Sequence, residues 1–157
     1  MTTELKRRIE GFLDAHHVTS LATLGPDGPH AANLFYARDG LTLVWVSETA
    51  TRHSLNLGAA PLVSATVAPD TADFAAIQGL QIAGSARQVT DAAERARLLA
   101  LLEARYPFLR QLKAAPEKLR EAYARTGVYC LTPTRIVFID NTQGFGHKET
   151  LDLPRIE

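Results

Sequence analysis

The sequence predicts a mainly β protein with peripheral α-helices, built as a six-or-more-stranded antiparallel barrel. Three observations predict it. Strand-length apolar segments recur from Val18 onward, turn signals such as Gly25-Pro26-Asp27-Gly28 separate them, and helical periodicity is confined to a few flanking stretches. At 157 residues the chain is read as a single domain spanning 1–157. Its 46% apolar and 22% charged residues are those of an ordinary globular protein.

Thr3 to His16 reads as a helix, because Leu5, Ile9, Phe12 and Leu13 repeat at helical spacing. Val18 to Leu24 is the first strand, Ala31 to Ala37 the second and Leu41 to Ser47 the third. Gly25-Pro26-Asp27-Gly28 and Arg38-Asp39-Gly40 turn between them, which predicts an antiparallel meander. A short helix follows, then a strand over Leu62 to Ala68 and a longer one from Ala75 to Val89. Gly79 and Gly84 interrupt that long strand, as glycines do at bulges and barrel bends.

Asp91 and Glu94 form a capping-box start for a helix carrying Leu98, Leu99, Leu101 and Leu102 to Arg105. A further helix runs from Pro116 to Arg125. Val128 to Leu131 and Arg135 to Asp140 are β-rich, and Asn141 to Lys148 follows as a Gly-rich tail.

Seventeen Lys and Arg balance seventeen Asp and Glu. No nucleic-acid or membrane footprint is expected from that balance, and self-association is not discouraged. The lone Cys130 reads as a small buried hydrophobe, and the absence of a membrane span or signal core predicts a cytoplasmic protein. His16-His17 lacks ligands at metal spacing and reads as a helix C-terminus, so no metal site is expected. No Gly-x-Ser-x-Gly elbow, dinucleotide fingerprint or P-loop occurs.

The stretch Ser47 to Leu57 is the most informative, because a strand ends and a helix opens there with Ser or Thr at its mouth. Arg52 sits in the first turn, where the helix dipole disfavours a cation. An anion at the mouth, most simply a phosphate shared by Thr hydroxyls, backbone N–H groups and the guanidinium, accounts for that placement. The alternative is a solvated Arg on an ordinary capped helix. Asn33, Gln78 and Gln81 either face solvent or line a ligand cavity, and Trp45 belongs to the core or a subunit interface. Phe145 either fills a surface groove or covers a planar ligand.

Three stretches carry a family resemblance: Thr51-Arg52-His53, Ile77 to Gly84 (IQGLQIAG) and Ile136 to Lys148 (IVFIDNTQGFGHK). From His17 to Lys148 the chain resembles the pyridoxamine 5'-phosphate oxidase-like flavin-binding split-barrel superfamily, and within it the YhbP-like branch. The resemblance implies a split β-barrel homodimer with FMN at the subunit interface. Thr51 and Arg52 would hold the FMN phosphate with His53 as a third donor, and Val46 and Ser47 would meet the flavin. Gln78 and Phe145 would come from the partner subunit. It also implies flavin-dependent oxidoreductase activity on a small-molecule redox substrate, with no protein acid or base assigned as catalytic. His53 departs from the usual Lys, and the C-terminal Arg-bearing motif of the true oxidases has no counterpart. A non-enzymatic binding protein and a haem- or F420-binding variant of the same fold therefore stay open.

Overall fold

A computed structural model describes residues 2–155. Helix α1 (Thr2–Ala15) buries the predicted stripe Leu5, Ile9, Phe12 and Leu13. Its C-terminal carbonyls, left open by helix geometry, accept from the Arg105 guanidinium, including Leu13 at 3.2 Å. Strands β1 (Val18–Gly25) and β2 (Gly28–Phe35) form a hairpin whose tip is Pro26-Asp27. Gly28 closes it at φ 110°, a left-handed conformation natural to glycine.

The expected meander is corrected after Phe35. The segment read as one strand, Ala31 to Ala37, divides at Tyr36 into the end of β2 and a separate β3 (Ala37–Asp39). Strand β3 pairs with β4 (Thr42–Glu48), but the sheet order is β2-β1-β5-β6-β7-β4-β3, so β2 and β3 occupy opposite ends. Tyr36 is the pivot. It is fully buried, its N–H donates to the His17 carbonyl at 3.1 Å, and its hydroxyl donates to the Leu13 carbonyl at 2.7 Å.

Helix α2 (Arg52–Ala59) leads to β5 (Leu62–Val67) and β6 (Gln78–Gln88). Helices α3 (Ala92–Arg105), α4 (Phe108–Gln111) and α5 (Glu117–Ala124) follow, then β7 (Thr126–Asp140) and β8 (Lys148–Asp152). Asp91 caps α3 as expected, accepting the Glu94 N–H at 2.9 Å. The two β-rich stretches on either side of Pro133 are one strand of fifteen residues. Proline has no N–H to give a ladder, and Pro133 falls where the β6–β7 register shifts, between Ala83 and Gly84.

Strand β7 organises the curl of the sheet. Strand β6 pairs along one side of it throughout; on the other side β4 takes Thr126 to Leu131 and β8 takes Arg135 to Ile139. The result is a curled antiparallel sheet with helices, the architecture of a split barrel. One apolar core lies inside the curl, where α1 meets Leu21, Leu43, Trp45, Leu80 and Ile136. The second joins Val44, Val128 and Cys130 to Leu98, Leu102 and Leu109 of the helical segment. The Cys130 thiol is buried as expected, and burial pushes its pKa up.

The outward face of β1, β2, β5 and β6 has an unusual chemistry for exposed sheet. Cross-strand rows read Ala31–Ala22–Ser64–Ala83 and Asn33–Ser20–Thr66–Gln81, all exposed and none charged. Solvated sheet faces are ordinarily polar and charged, whereas charge is depleted where protein surfaces pack together.

Gly84 is held to glycine by close approach, since a Cβ there would lie 2.2 Å from the Thr132 carbonyl oxygen. Gly84→Ala is expected to lower unfolding free energy by about 1–3 kcal/mol. Gly11, on the exposed face of α1, has nothing within 4 Å of an added Cβ. Gly11→Ala is expected to raise stability by about 0.5–1 kcal/mol through helix propensity. Urea unfolding of the two variants measures both signs.

Candidate functional site

Strand β4 delivers Ser47 and Glu48 to the turn that opens α2. Thr51 is the N-cap, with extended backbone and its Oγ1 accepting the Ser54 N–H at 3.3 Å. Thr51 Oγ1 and Ser54 Oγ lie 2.7 Å apart, each 3.0 Å from the Glu48 carbonyl oxygen. This hydroxyl cluster fixes the helix mouth. The N–H groups of Arg52 and His53, in the first turn, have no intrahelical acceptor and point out of it. Strand β3 flanks β4 only from Thr42 to Val44. Among the described residues, no strand pairs with that edge of β4 from Trp45 to Glu48, the stretch that leads into the mouth.

The predicted site residues fall into two groups. Ser47, Thr51, Arg52 and His53 come together at the helix mouth. Val46 adjoins them through its backbone, while its side chain packs against the second core. Arg52 extends along the surface and its Nη1 donates to Asp27 Oδ2 of the β1–β2 tip at 3.1 Å. His53 turns inward: its Nε2 lies 2.7 Å from Ser47 Oγ and 3.3 Å from Thr51 Oγ1, and the residue is buried. Burial, with a smaller contribution from His30, holds its pKa below the ordinary imidazole value.

Gln78 and Phe145 form the second group, at the other end of β7. Gln78 pairs with Asp140, and the Asp140 carboxylate also accepts from the Thr142 N–H at 3.0 Å and Gln143 Nε2 at 3.1 Å. Burial alone would raise the Asp140 pKa, but hydrogen bonds from Thr142, Gln143 and Gln78 outweigh it and hold the carboxyl below its usual range. Asn141 braces the same tail, donating to the Phe74 carbonyl and accepting the Gly146 N–H at 3.1 Å. Gly144 and Gly146, at φ 133° and 68°, allow the chain to present Phe145 between them. Phe145 is 83% exposed and rests on Phe74, with ring centroids 5.0 Å apart.

Ser47 pairs with Gly127 and Gln78 with Asp140, so the two groups are separated along β7 by roughly 40 Å of strand at about 3.3 Å per residue. One chain does not bring them together. The sequence reading also missed Asp27 as the partner of Arg52, and Asn56, whose buried amide donates to Thr23 Oγ1 at 3.1 Å. Neither lies in a motif. Asp27 looked only like a turn residue, and Asn56 gave no signal.

The curled sheet, the split of β7 between two neighbours and the capped helix mouth define a split-barrel protein with a donor-lined site. Residues 5–140 match the sequence profile of the pyridoxamine 5'-phosphate oxidase family, and the chain belongs to that family. It is 32% identical over 139 residues to a UPF0306 protein of Klebsiella pneumoniae, covering 87% of this chain and 86% of the relative, which places it in the YhbP-like branch. Among solved structures, it is similar to a haem-binding protein from Mycobacterium smegmatis at 22% identity and TM-score 0.70, covering 91% of this chain and 56% of that one. It is also similar to HutZ, the haem storage protein from Vibrio cholerae, at 19% identity and TM-score 0.64, covering 81% and 88%. At those identities the likeness concerns the fold. No helix among the described residues is long and apolar enough to cross a membrane.

Because His53 is depressed in the folded state, the unfolded chain binds more protons at this position as pH falls. Its contribution to stability is therefore complete above about pH 6.5 and is lost below it, toward the folded value. His53→Gln is expected to flatten the decline of unfolding free energy as pH falls below about 6.5. Denaturant titrations at several pH values measure the difference, and equal slopes in both proteins would contradict it.

Proposed function

We propose that the chain is a cytoplasmic, homodimeric FMN-binding protein with flavin-dependent oxidoreductase activity toward a small molecule. The observation that supports it most directly is the donor set at the α2 mouth. Two N-terminal N–H groups, the Ser47 and Thr51 hydroxyls and the unpaired edge of β4 lie there, and Arg52 in the first turn carries a guanidinium that rests on Asp27 beside it. That chemistry suits a phosphate ester joined to a planar, hydrogen-bonding ring. Thr51 and Arg52 would hold the phosphate. His53, neutral and hydrogen-bonded to Ser47, would orient the hydroxyls and supply a donor without fixed charge. Val46 and Ser47 would meet the ring system through backbone and hydroxyl.

When bound, FMN supplies hydride or electron transfer. The chain's own part is to bind, orient and exclude water. No side chain at the mouth is assigned as an acid or base. A haem reading draws support from the Mycobacterium and Vibrio neighbours. Against it, the imidazole at the mouth, His53, is buried against Ser47 and not directed outward.

Dimerisation is supported by the two uncharged cross-strand rows on the outward face of β1, β2, β5 and β6. Burying those rows removes no ionic hydration. A twofold axis crossing the strands exchanges the two ends of the sheet. It would carry Gln78 and Phe145 of one protomer toward the Thr51–Arg52 mouth of the other, which one chain alone cannot do. Phe145, held in place by its hydrogen-bonded tail, is suited to covering a planar ring.

Arg52→Ala is expected to weaken FMN binding at least about tenfold, equal to about 1.4 kcal/mol, in a fluorescence-quenching titration. Unchanged affinity would remove Arg52 from the phosphate role. Light scattering should give twice the 17.1 kDa chain mass, and a value at the chain mass would contradict the dimer.

A further inference from the structure

We propose that Asp27 is a built-in competitor for Arg52 at the anion site and lowers the affinity of that site for phosphate. The proposal rests on the reading of Arg52 as the phosphate-binding cation. A cation in the first turn of a helix is disfavoured by the dipole, and in this chain a carboxylate answers it. Arg52 Nη1 donates to Asp27 Oδ2 at 3.1 Å across the space between α2 and the β1–β2 tip.

The tip is not free to drift away from that contact. Gly25 lies so close to Asn56 that a Cβ would come within 2.3 Å of its side-chain oxygen. Asn56 in turn donates to Thr23 Oγ1 on β1. With only Pro26 and Asp27 between the strands, the carboxylate is presented beside Arg52 by fixed backbone. Between tip and helix lies a groove of about 620 Å³, walled by Leu24, Pro26, Leu55 and Ala59. Its only charged lining residues are Asp27 and Arg52, so at this point the guanidinium has a single neighbouring anion.

An incoming anion must therefore take Arg52 from a carboxylate of charge −1 and tolerate that carboxylate nearby. A phosphate monoester carries about −1.5 to −2 and three acceptor oxygens, which suffices. A neutral ligand makes no such exchange. Asp27 thus acts through Arg52, as a positioning residue that holds the guanidinium until a phosphate displaces it. It lowers the affinity for phosphate and leaves a ligand without an anionic group unaffected.

The test compares FMN with riboflavin, the same ring without the phosphate, in wild type, Asp27→Asn and Asp27→Ser. Asp70→Asn serves as control, an exposed carboxylate following β5 at the far end of the sheet. The exposed ion pair corresponds to roughly a two- to fivefold effect. Both Asp27 variants should bind FMN about two- to fivefold more tightly, with riboflavin unchanged and Asp70→Asn like wild type. FMN binding by the Asp27 variants alone would support the proposal in stronger form. Unaltered or weaker FMN binding in the variants overturns the competitor role and leaves the FMN reading standing. Equal tightening for riboflavin overturns it too, since the effect would then lie with the groove and not the phosphate. No FMN binding by any of the proteins overturns both.

Discussion

Every functional position in this chain depends on how β7 is shared. One strand of fifteen residues has a single partner on one side and two in succession on the other, with the change of partner beside the Gly84–Pro133 irregularity. A proline that can donate no hydrogen bond and a glycine that fits against the Thr132 carbonyl permit the bend. That arrangement places the end of β4, with its capped helix mouth, at one extremity of the strand. It places the Asp140-anchored tail at the other. The protein has two half-sites because one strand is long enough to hold them apart.

The electrostatics of the two ends differ in kind. At the α2 mouth, neutral donors stand beside one cation, Arg52, which pairs with Asp27, and burial disfavours the charged form of the His53 imidazole. At the tail, the buried Asp140 carboxylate is kept ionised by hydrogen bonds that also fix Thr142, Gln143 and Gln78. The mouth presents unsatisfied donors outward, as an anion site requires. The tail uses its charge internally, to make a rigid mount for Phe145. Rigid presentation of an exposed aromatic lowers the ordering cost of whatever contact it makes.

Much of this was legible in the chain itself. The stripe of α1, the Asp91 cap of α3, the Thr51 cap and the Gly84 irregularity all follow from short-range rules, and each is present. What escaped depends on long-range pairing. Nothing local distinguishes Ala31 to Ala37 as two strands at opposite ends of a sheet. The break is made by Tyr36, whose partners His17 and Leu13 are some twenty residues away. Pro133 divided one strand into two on paper because a proline reads as an interruption when the neighbouring bulge is unseen. Strand β8 has no counterpart in the sequence reading, whose tail ends at Lys148, since five residues with charges at both ends carry little period-two signal. The Arg52 position was found from its conflict with the helix dipole, but its partner Asp27 was not. Turn residues give no sign of which helix they will meet.

The central claim is that the α2 mouth, completed by a second protomer, holds the phosphate of a flavin. The most direct measurement is an absorption spectrum of the purified wild-type protein after incubation with FMN and removal of free ligand. The account predicts retained flavin bands at about one FMN per chain. A colourless protein, or a protein that instead retains a haem Soret band and excludes FMN, would contradict it.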